Sequence, residues 1–548
     1  MSTIRNQRLK GQLELTWTNK DQRLLSHGED TYEWTTPDDY RVSEVRLLHD
    51  IATVGETRKD AERAKDNLLI RGDALHALTS LKELPEFAAE YRGKVRLAYI
   101  DPPFNTGQMF EHYNDAVEHS VWLTQMRDRL TQIHELLADN GSLWLHLDDS
   151  EMAYCRVILD EVFGRQNYVG TVVWETDAGR RNDTDISTVQ DYILVVAKDK
   201  SIWRKQRNLL PRTPEQEKRY RNPDNDPRGP WLQGADSTAR SGSDALRYEV
   251  TLPSGRTVVP PKGVFWRFSR ENFDRALAED RVYFGKDGDG MPIVKRYLSE
   301  VQGGVVPRSL WLASEVGSNM TAKRDHLRKM FPDLPAFATP KPEGLLERVI
   351  HIATDPGDIV LDCFAGSGTT AAVAHKMGRR WVTSELSATN LADYTRPRLE
   401  KVVNNEDPRG ITASIGWQGG GGFRVMEVGP SMFEADEDGG ILLAEWATNG
   451  AFAEAVCAQL GYERLGAESR PFSGRKGRMR LAVVDGVAGD TEVDFLVSHL
   501  AEGERLTLVA KAATEDAQDR LRTLSPGSRL RTAPRDLLRV RSHGKAAR

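Results

Sequence analysis

Val95-Arg96-Leu97-Ala98-Tyr99-Ile100-Asp101-Pro102-Pro103-Phe104 joins a mostly apolar run to a carboxylate, two prolines and an aromatic ring. The run has the length and the β-branched and aromatic content of a buried strand, and consecutive prolines continue neither a strand ladder nor a helix. The strand is therefore expected to stop at Asp101. In an open α/β sheet that stop sets Asp101, the carbonyl of Pro102 and the ring of Phe104 over the crevice at the carboxyl ends of the strands, where ligands bind. Carboxylate and carbonyl can each accept a hydrogen bond from an exocyclic amine, and Phe104 offers a stacking surface for a nucleobase, worth roughly 1–3 kcal/mol. For these four residues alone, a plain strand-ending turn is the competing reading.

A second stretch lies far downstream. Asp358-Ile359-Val360-Leu361-Asp362 leads into Cys363-Phe364-Ala365-Gly366-Ser367-Gly368-Thr369-Thr370 and then into the Ala-rich residues up to Met377, a strand, a glycine turn and a helix. Glycines let the backbone approach a ligand, and the helix N-terminus adds oriented N–H donors. The full Gly-x-Gly-x-x-Gly pattern and the Lys of a phosphate loop are both missing, which disfavours a pyrophosphate. The next short strand, Arg380-Trp381-Val382-Thr383-Ser384, ends in Glu385, a carboxylate suited to both hydroxyls of a ribose. A nucleoside without phosphates fits, and S-adenosylmethionine is one.

Asp101-Pro102-Pro103-Phe104-Asn105-Thr106-Gly107 and Phe364-Ala365-Gly366-Ser367-Gly368 resemble the catalytic and cofactor motifs of the amino-group DNA methyltransferases, and their order looks like the β class. Three further stretches agree: Asn67 to Leu75 with Gly72-Asp73, Gly141 to Asp149, and Thr339-Pro340-Lys341-Pro342-Glu343-Gly344. Within the class, Asp224 to Trp231, Pro260 to Arg267 and Trp417 to Arg424 resemble the modification subunits of type III restriction systems, although the chain is somewhat short for one and carries Phe104 where many relatives have Tyr. The resemblance implies an α/β fold, a doubly wound, Rossmann-like methyltransferase sheet in circularly permuted order with an inserted target recognition domain and a C-terminal α/β region. It also implies methylation of the N6 amine of adenine in duplex DNA by base flipping, with S-adenosylmethionine as donor. Asp101, Pro102, Pro103 and Phe104 would be catalytic. Phe364, Ala365, Gly366, Ser367, Gly368 and Thr369 would meet the methionine moiety, Glu385 the ribose, Asp73 the adenine edge and Lys341 the carboxylate. A homodimer and a helicase-nuclease restriction partner are implied as well. The alternatives are a cytosine-N4 enzyme, a subclass that more often carries Ser in place of Asp101, and a DNA-recognition scaffold for a partner nuclease-translocase.

The 548 residues are enough for two to four domains at ~100–200 residues each. The expected divisions are an N-terminal helical arm (1–66), the catalytic half of the methyltransferase domain (67–198), an inserted target recognition domain (199–324), the cofactor half (325–415) and a C-terminal α/β domain (416–548). No apolar run approaches the ~18 residues of a membrane helix, and the N-terminus lacks a secretory pattern, so a cytoplasmic protein is expected. Three widely separated cysteines argue against a disulfide framework or a structural zinc site, and Asp287-Gly288-Asp289-Gly290 lacks the spacing and terminal Glu of a calcium loop; no metal is expected. The net charge of −6 does not speak against DNA, because phosphate contacts need only a local basic surface. Arg204, Lys205 and Arg207, interleaved with aromatics, are the candidate surface, with Asn105 beside the catalytic motif. The basic run from Arg529 to Arg548 reads as a solvated end, His146-Leu147-Asp148-Asp149 as the structural end of a strand, and His326 as part of a surface helix or a DNA contact.

Overall fold

The structure, a computed structural model of the chain, describes residues 13–26, 32–105, 109–110, 113–114, 118–177, 179, 185–232, 237–301, 303–438 and 440–538. Two compact units are present, Met1–Asn208 with Arg308–Arg548, and Leu209–Pro307.

A ten-stranded sheet forms the centre of the first unit. In chain order its strands are β1 (Leu48–Gly55), β2 (Asn67–Arg71), β3 (Val95–Ile100), β4 (Leu137–Leu147), β5 (Tyr168–Glu175), β6 (Gln190–Ala197), β7 (Leu310–Trp311), β8 (Ile359–Asp362), β9 (Arg380–Glu385) and β10 (Gly422–Val428). Across the sheet they run β7-β5-β6-β4-β3-β8-β9-β2-β10-β1. The six strands from β4 to β10 are mutually parallel. β6 runs against β4 and β5, and β1 runs against β10.

All six residues of β3 are buried, so the strand reads as a continuous run instead of an alternation. Even Arg96 is inside, its guanidinium donating to the carbonyls of Asn140 and Gln206. From β3 the chain proceeds through the helix His119–Leu136 to β4 on one side; from β8 it proceeds through the helix Thr369–Lys376 to β9 on the other. The connections thus reverse direction between two adjacent strands, and the carboxyl end of such a pair is where an open α/β sheet binds ligands. Asp101 and the glycine turn leave β3 and β8 at that point.

The expected helical arm is mostly not helical in its described part, where the only helical pieces are the short helix Tyr40–Ser43 and the 3-10 turn Asp60–Lys65. Arg23–Ser26 pairs with Tyr32–Thr35, and Leu48–Gly55 is the outer strand β1. Its sequence, Leu48-His49-Asp50-Ile51-Ala52-Thr53-Val54-Gly55, alternates in burial toward its end, the two-residue period of an edge strand. The central sheet also extends past 415, because β10 lies between β2 and β1. The rest of the C-terminal region is α/β as expected: a five-stranded sheet, in the order Glu463–Arg464, Gly474–Lys476, Met479–Ala488, Arg505–Ala513 and Arg529–Thr532, with the helices Asn449–Leu460, Asp490–Ser498 and Ala517–Leu524. The end of the basic run, 539–548, lies outside the described residues.

The second unit is narrower than the expected 199–324, since Lys200–Gln206 packs against β4 and β7 pairs with β5. It consists mainly of two-residue strand pairs and the helix Arg270–Ala278. Its hydrophobic core holds Val250, Leu252, Trp266, Phe273 and Val282, and beside that Asp226 forms a buried polar node, accepting hydrogen bonds from Lys295 Nζ (2.6 Å), the Tyr297 hydroxyl (2.7 Å) and Arg228 Nε (2.9 Å). The Asp224-to-Trp231 stretch is therefore architectural, with Trp231 fully buried and its indole N–H on Asp224 at 2.9 Å. Among the described residues, no helix is long and apolar enough to cross a membrane.

Candidate active site

The end of β3 is held from several sides. The Pro103 carbonyl accepts a hydrogen bond from the Trp122 indole at 2.8 Å. Asp101 Oδ2 pairs with the buried Lys341 ammonium at 2.8 Å, while Oδ1 is buried without a hydrogen-bond partner among the described residues. The same ammonium lies 5.0 Å from the centre of the half-buried Phe104 ring. Asn105 adopts φ +59°, and its amide donates to Glu151 Oε1 at 2.8 Å; His119 Nε2 reaches the other oxygen of Glu151 at 3.1 Å. Burial pushes the Glu151 carboxyl above its usual range, against those two neighbours.

Across the crevice, Asp362 closes β8 and accepts the Phe364 N–H at 3.0 Å. The turn is then pinned to β9: the Ala365 N–H donates to the Ser384 carbonyl (3.0 Å) and the Gly366 N–H to Glu385 Oε2 (2.8 Å). Gly366 at φ +51° and Gly368 at φ +75° supply the left-handed backbone that this path demands. Thr395 holds the Gly366 carbonyl through its hydroxyl at 2.7 Å, and a side chain at Gly368 would meet the Thr395 methyl at 3.1 Å. Gly368 caps the helix Thr369–Lys376, while the buried hydroxyls of Ser367 and Thr369 lie 3.2 Å apart.

Three carboxylates end adjacent strands here, Asp101, Asp362 and Glu385. Burial, with the Asp101 and Glu385 charges adding to it, pushes Asp362 up to about 7 against the hydrogen bonds from Thr370 and Phe364. Burial also raises Glu385, although the Ser387, Gly366 and Leu386 N–H groups favour its charged form. One lysine among three carboxylates leaves a crevice suited to a cation, and the glycine turn admits one close to the backbone.

The other expected site residues are distributed differently. Asp73 caps the helix Ala74–Glu83 through the Leu75 N–H at 2.7 Å and pairs with Arg129 at 3.1 Å. Burial works against its charge, yet the cations beside it, Arg129 first, hold the carboxyl below its usual range. Lys341 pairs with Asp101, a partner that the sequence did not indicate. Arg204, Lys205 and Arg207 are not at the crevice. β6 is antiparallel, with Ala197 level with Ser142 near the amino ends of the parallel strands, so the helix Lys200–Gln206 leaves the sheet at the edge opposite Asp101. Asn208 accordingly donates to the carbonyl of Thr354, ahead of β8.

Two clusters escaped sequence reading. His146, fully buried on β4, accepts or donates at Nδ1 to the Tyr99 hydroxyl (2.7 Å) and at Nε2 to Asp191 (3.0 Å), and Phe104 stacks on its ring. The second joins Glu343, Lys376, Arg398, Asp407 and His326. Lys376 Nζ lies 2.9 Å from Glu343 Oε2 and 2.6 Å from Asp407 Oδ2, Arg398 Nη2 lies 2.9 Å from Glu343 Oε1, and His326 Nε2 lies 2.9 Å from Asp407 Oδ1. His326, read as a surface residue, is buried; His326, Glu343 and Asp407 have the spacing of metal ligands, but the Lys376 ammonium sits on both carboxylates. Arg398 also donates to Thr369 at 2.8 Å, which ties this network to the glycine turn.

The model of the DNA methylase family matches residues 95–394, more than half of the chain. The chain is 32% identical to the StyLTI Mod subunit, a type III restriction-modification enzyme of Salmonella typhimurium, over 56% of this chain and 49% of the relative. It is 28% identical to the EcoP15I Mod subunit of Escherichia coli, over 60% and 58%. It thus spans about half the length of the curated relatives it matches. Among solved structures, the S-adenosyl-L-methionine complex of TTHA0409, a putative DNA modification methylase of Thermus thermophilus, aligns at 17% identity over 67% of this chain and 100% of that one, with a TM-score of 0.33. Since the family match runs unbroken across the Asp101 motif, Lys341, the glycine turn and Glu385, the chain belongs to the DNA methylase family.

Proposed function

We propose that this protein transfers a methyl group from S-adenosylmethionine to the N6 amine of adenine at a specific sequence in duplex DNA. One observation carries the reading: Asp101 Oδ1 is a buried carboxylate oxygen without a partner among the described residues, at the end of the strand next to the one that leads into the glycine turn. When bound, S-adenosylmethionine supplies an electrophilic methyl on a cationic sulfur, and the acidic crevice fits such a ligand. Oδ1 and the Pro102 carbonyl accept the two hydrogens of the amine, which aims the nitrogen lone pair across the crevice. The new N–C bond forms as the S–C bond breaks; the methylated nitrogen then releases one proton to solvent water, and S-adenosylhomocysteine leaves. The Lys341 ammonium, 2.8 Å from Oδ2, occupies the other carboxylate oxygen and leaves Oδ1 to the amine. Positioning and fixed charge carry the rate. The base leaves the stack at a cost of a few kcal/mol, recovered in part on Phe104.

Asp101 favours adenine over cytosine, since cytosine-N4 enzymes more often carry Ser there. The likeness to Mod subunits supports a role as the modification member of a restriction system, working as a homodimer with a restriction subunit. On this reading, Gly366 to Thr369 and Glu385 hold the cofactor and the 209–307 unit reads the target.

DNA from a methylation-free host expressing the chain alone tests this directly. N6-methyladenine in one recurring motif, lost in Asp101→Ala, is expected. N4-methylcytosine would replace the adenine assignment. Unmodified DNA from soluble, cofactor-binding protein would favour a recognition scaffold.

A further inference from the structure

Phe104 is half-buried, and the next residue, Asn105, turns into the left-handed region, so the chain leaves the ring without a regular element to hold it. A ring that must offer one fixed plane to a base needs backing from elsewhere. His146 supplies a parallel surface: the two ring centres are 5.7 Å apart and the planes differ by 18°, within the range of offset stacking.

The imidazole is itself fixed. The Tyr99 hydroxyl lies 2.7 Å from Nδ1 and Asp191 Oδ2 3.0 Å from Nε2, and the tautomer with its proton on Nε2 satisfies both, the hydroxyl donating to Nδ1 and Nε2 donating to Asp191. Two bonds at opposite corners of a planar ring leave it one orientation. Trp174 meets the imidazole edge-on at 5.4 Å and 87°, and its own indole N–H is tied to the Gly317 carbonyl at 3.0 Å. β3, β4, β5 and β6 each contribute one member, Tyr99, His146, Trp174 and Asp191, so the plane of Phe104 is referred to the sheet.

We propose that His146 is a positioning residue for methyl transfer, a hydrogen-bond-locked plane that holds the Phe104 ring in the orientation in which it receives the target base. The role presupposes that a base stacks on Phe104, as proposed above, and the two claims separate experimentally.

His146→Gln keeps an acceptor for Tyr99 and an N–H for Asp191 but removes the ring; His146→Phe keeps a ring and loses both bonds. Each full-length variant is assayed for transfer of labelled methyl to genomic DNA from a methylation-free host, beside Phe104→Ala. For His146→Gln, kcat is expected to fall about tenfold or more while the dissociation constant for S-adenosylmethionine stays within about twofold, a split expected when an interaction serves only the reacting complex. His146→Phe, which keeps the plane but not its lock, is expected to recover only part of the lost kcat. A His146→Gln protein with wild-type kcat overturns the proposal; if Phe104→Ala is then also as active as wild type, the stacking reading falls with it, and if Phe104→Ala is crippled, that reading stands alone. Should His146→Gln fail to fold, His146→Phe decides: a folded protein with wild-type kcat would overturn the hydrogen-bond lock, and a lowered kcat with unchanged S-adenosylmethionine affinity would support it.

Discussion

The Lys341 ammonium is 2.8 Å from Asp101 Oδ2 and 5.0 Å from the centre of the Phe104 ring, so a single buried cation touches both the carboxylate and the aromatic that follow β3. It comes from the segment before the helix Glu343–Ala353, which the Glu343 network anchors two residues further on. Its ammonium takes Oδ2 of Asp101 and leaves only Oδ1 to accept from a substrate. Lys341→Met should slow methyl transfer on the order of 10–100-fold, about 1.4–2.8 kcal/mol in barrier, and Lys341→Arg should recover part of that. Initial rates of labelled methyl incorporation at saturating cofactor check this; an unchanged rate in Lys341→Met would mean that the ion pair has no weight in the reaction.

The glycine turn separates two costs that are usually mixed. Gly368 and Gly378 both hold positive φ, +75° and +71°, but a side chain at Gly378 meets nothing within 4 Å whereas one at Gly368 meets the Thr395 methyl at 3.1 Å. Gly378→Ala should cost only the left-handed backbone, roughly 1–2 kcal/mol. Gly368→Ala adds pressure on the residue whose hydroxyl fixes the Gly366 carbonyl. Its loss of stability should be larger, and it alone should weaken S-adenosylmethionine binding. Urea unfolding and titration calorimetry on both variants make the comparison.

Asp101 and Glu385 were legible because punctuation marks them: a buried run, then prolines, and a short strand, then a carboxylate at its tip. Hydrophobic pattern and turn residues are local, and local signals survive in the sequence. Where Arg204, Lys205 and Arg207 stand relative to the crevice is not legible, for the converse reason. The direction of β6 is set by pairing with β4, and reversing it moves everything that follows to the opposite edge of the sheet. The partnership of Lys341 with Asp101, 240 positions apart, and the burial of His326 against Asp407 depend on packing that no local pattern encodes. The edge strand β1 lies between these cases: its alternation is present in the sequence, but only over the last few residues.

Lys376 is fully buried between Glu343 and Asp407. Burial opposes the charge on both carboxylates, and the cations and His326 around them nevertheless hold both below the usual range. Removing the ammonium alone leaves two buried like charges facing each other, and breaking a buried pair from one side typically costs about 3–5 kcal/mol. Lys376→Met should therefore be destabilised by about that much, while Lys329→Met, at an exposed and loosely paired lysine, should unfold close to wild type. Because Arg398 bridges Glu343 to Thr369, the Lys376 variant should also lose affinity for S-adenosylmethionine at temperatures where it is still folded. Denaturant midpoints and cofactor titrations at low temperature test the two parts separately.

Asp362 gives stability and binding opposite dependences on pH. Its carboxyl is pushed up to about 7 in the folded protein from an ordinary 3.8, chiefly by burial, with Asp101 and Glu385 adding to the effect. The folded state therefore holds this proton more tightly than the unfolded chain does. The resulting stabilisation is fully present below the ordinary value and is lost as pH rises through about 7. A cationic ligand on the glycine turn prefers the ionised carboxylate, so its affinity should rise over the same interval, by up to about tenfold per pH unit below the folded value. Between pH 6 and 8 the free protein should lose stability from this group while S-adenosylmethionine binds more tightly. Asp362→Asn should flatten both trends and be more stable than wild type at pH 8. Thermal unfolding and calorimetric titration across that range supply the two curves; if they moved in the same direction, the Asp362 charge would not be what the cofactor senses.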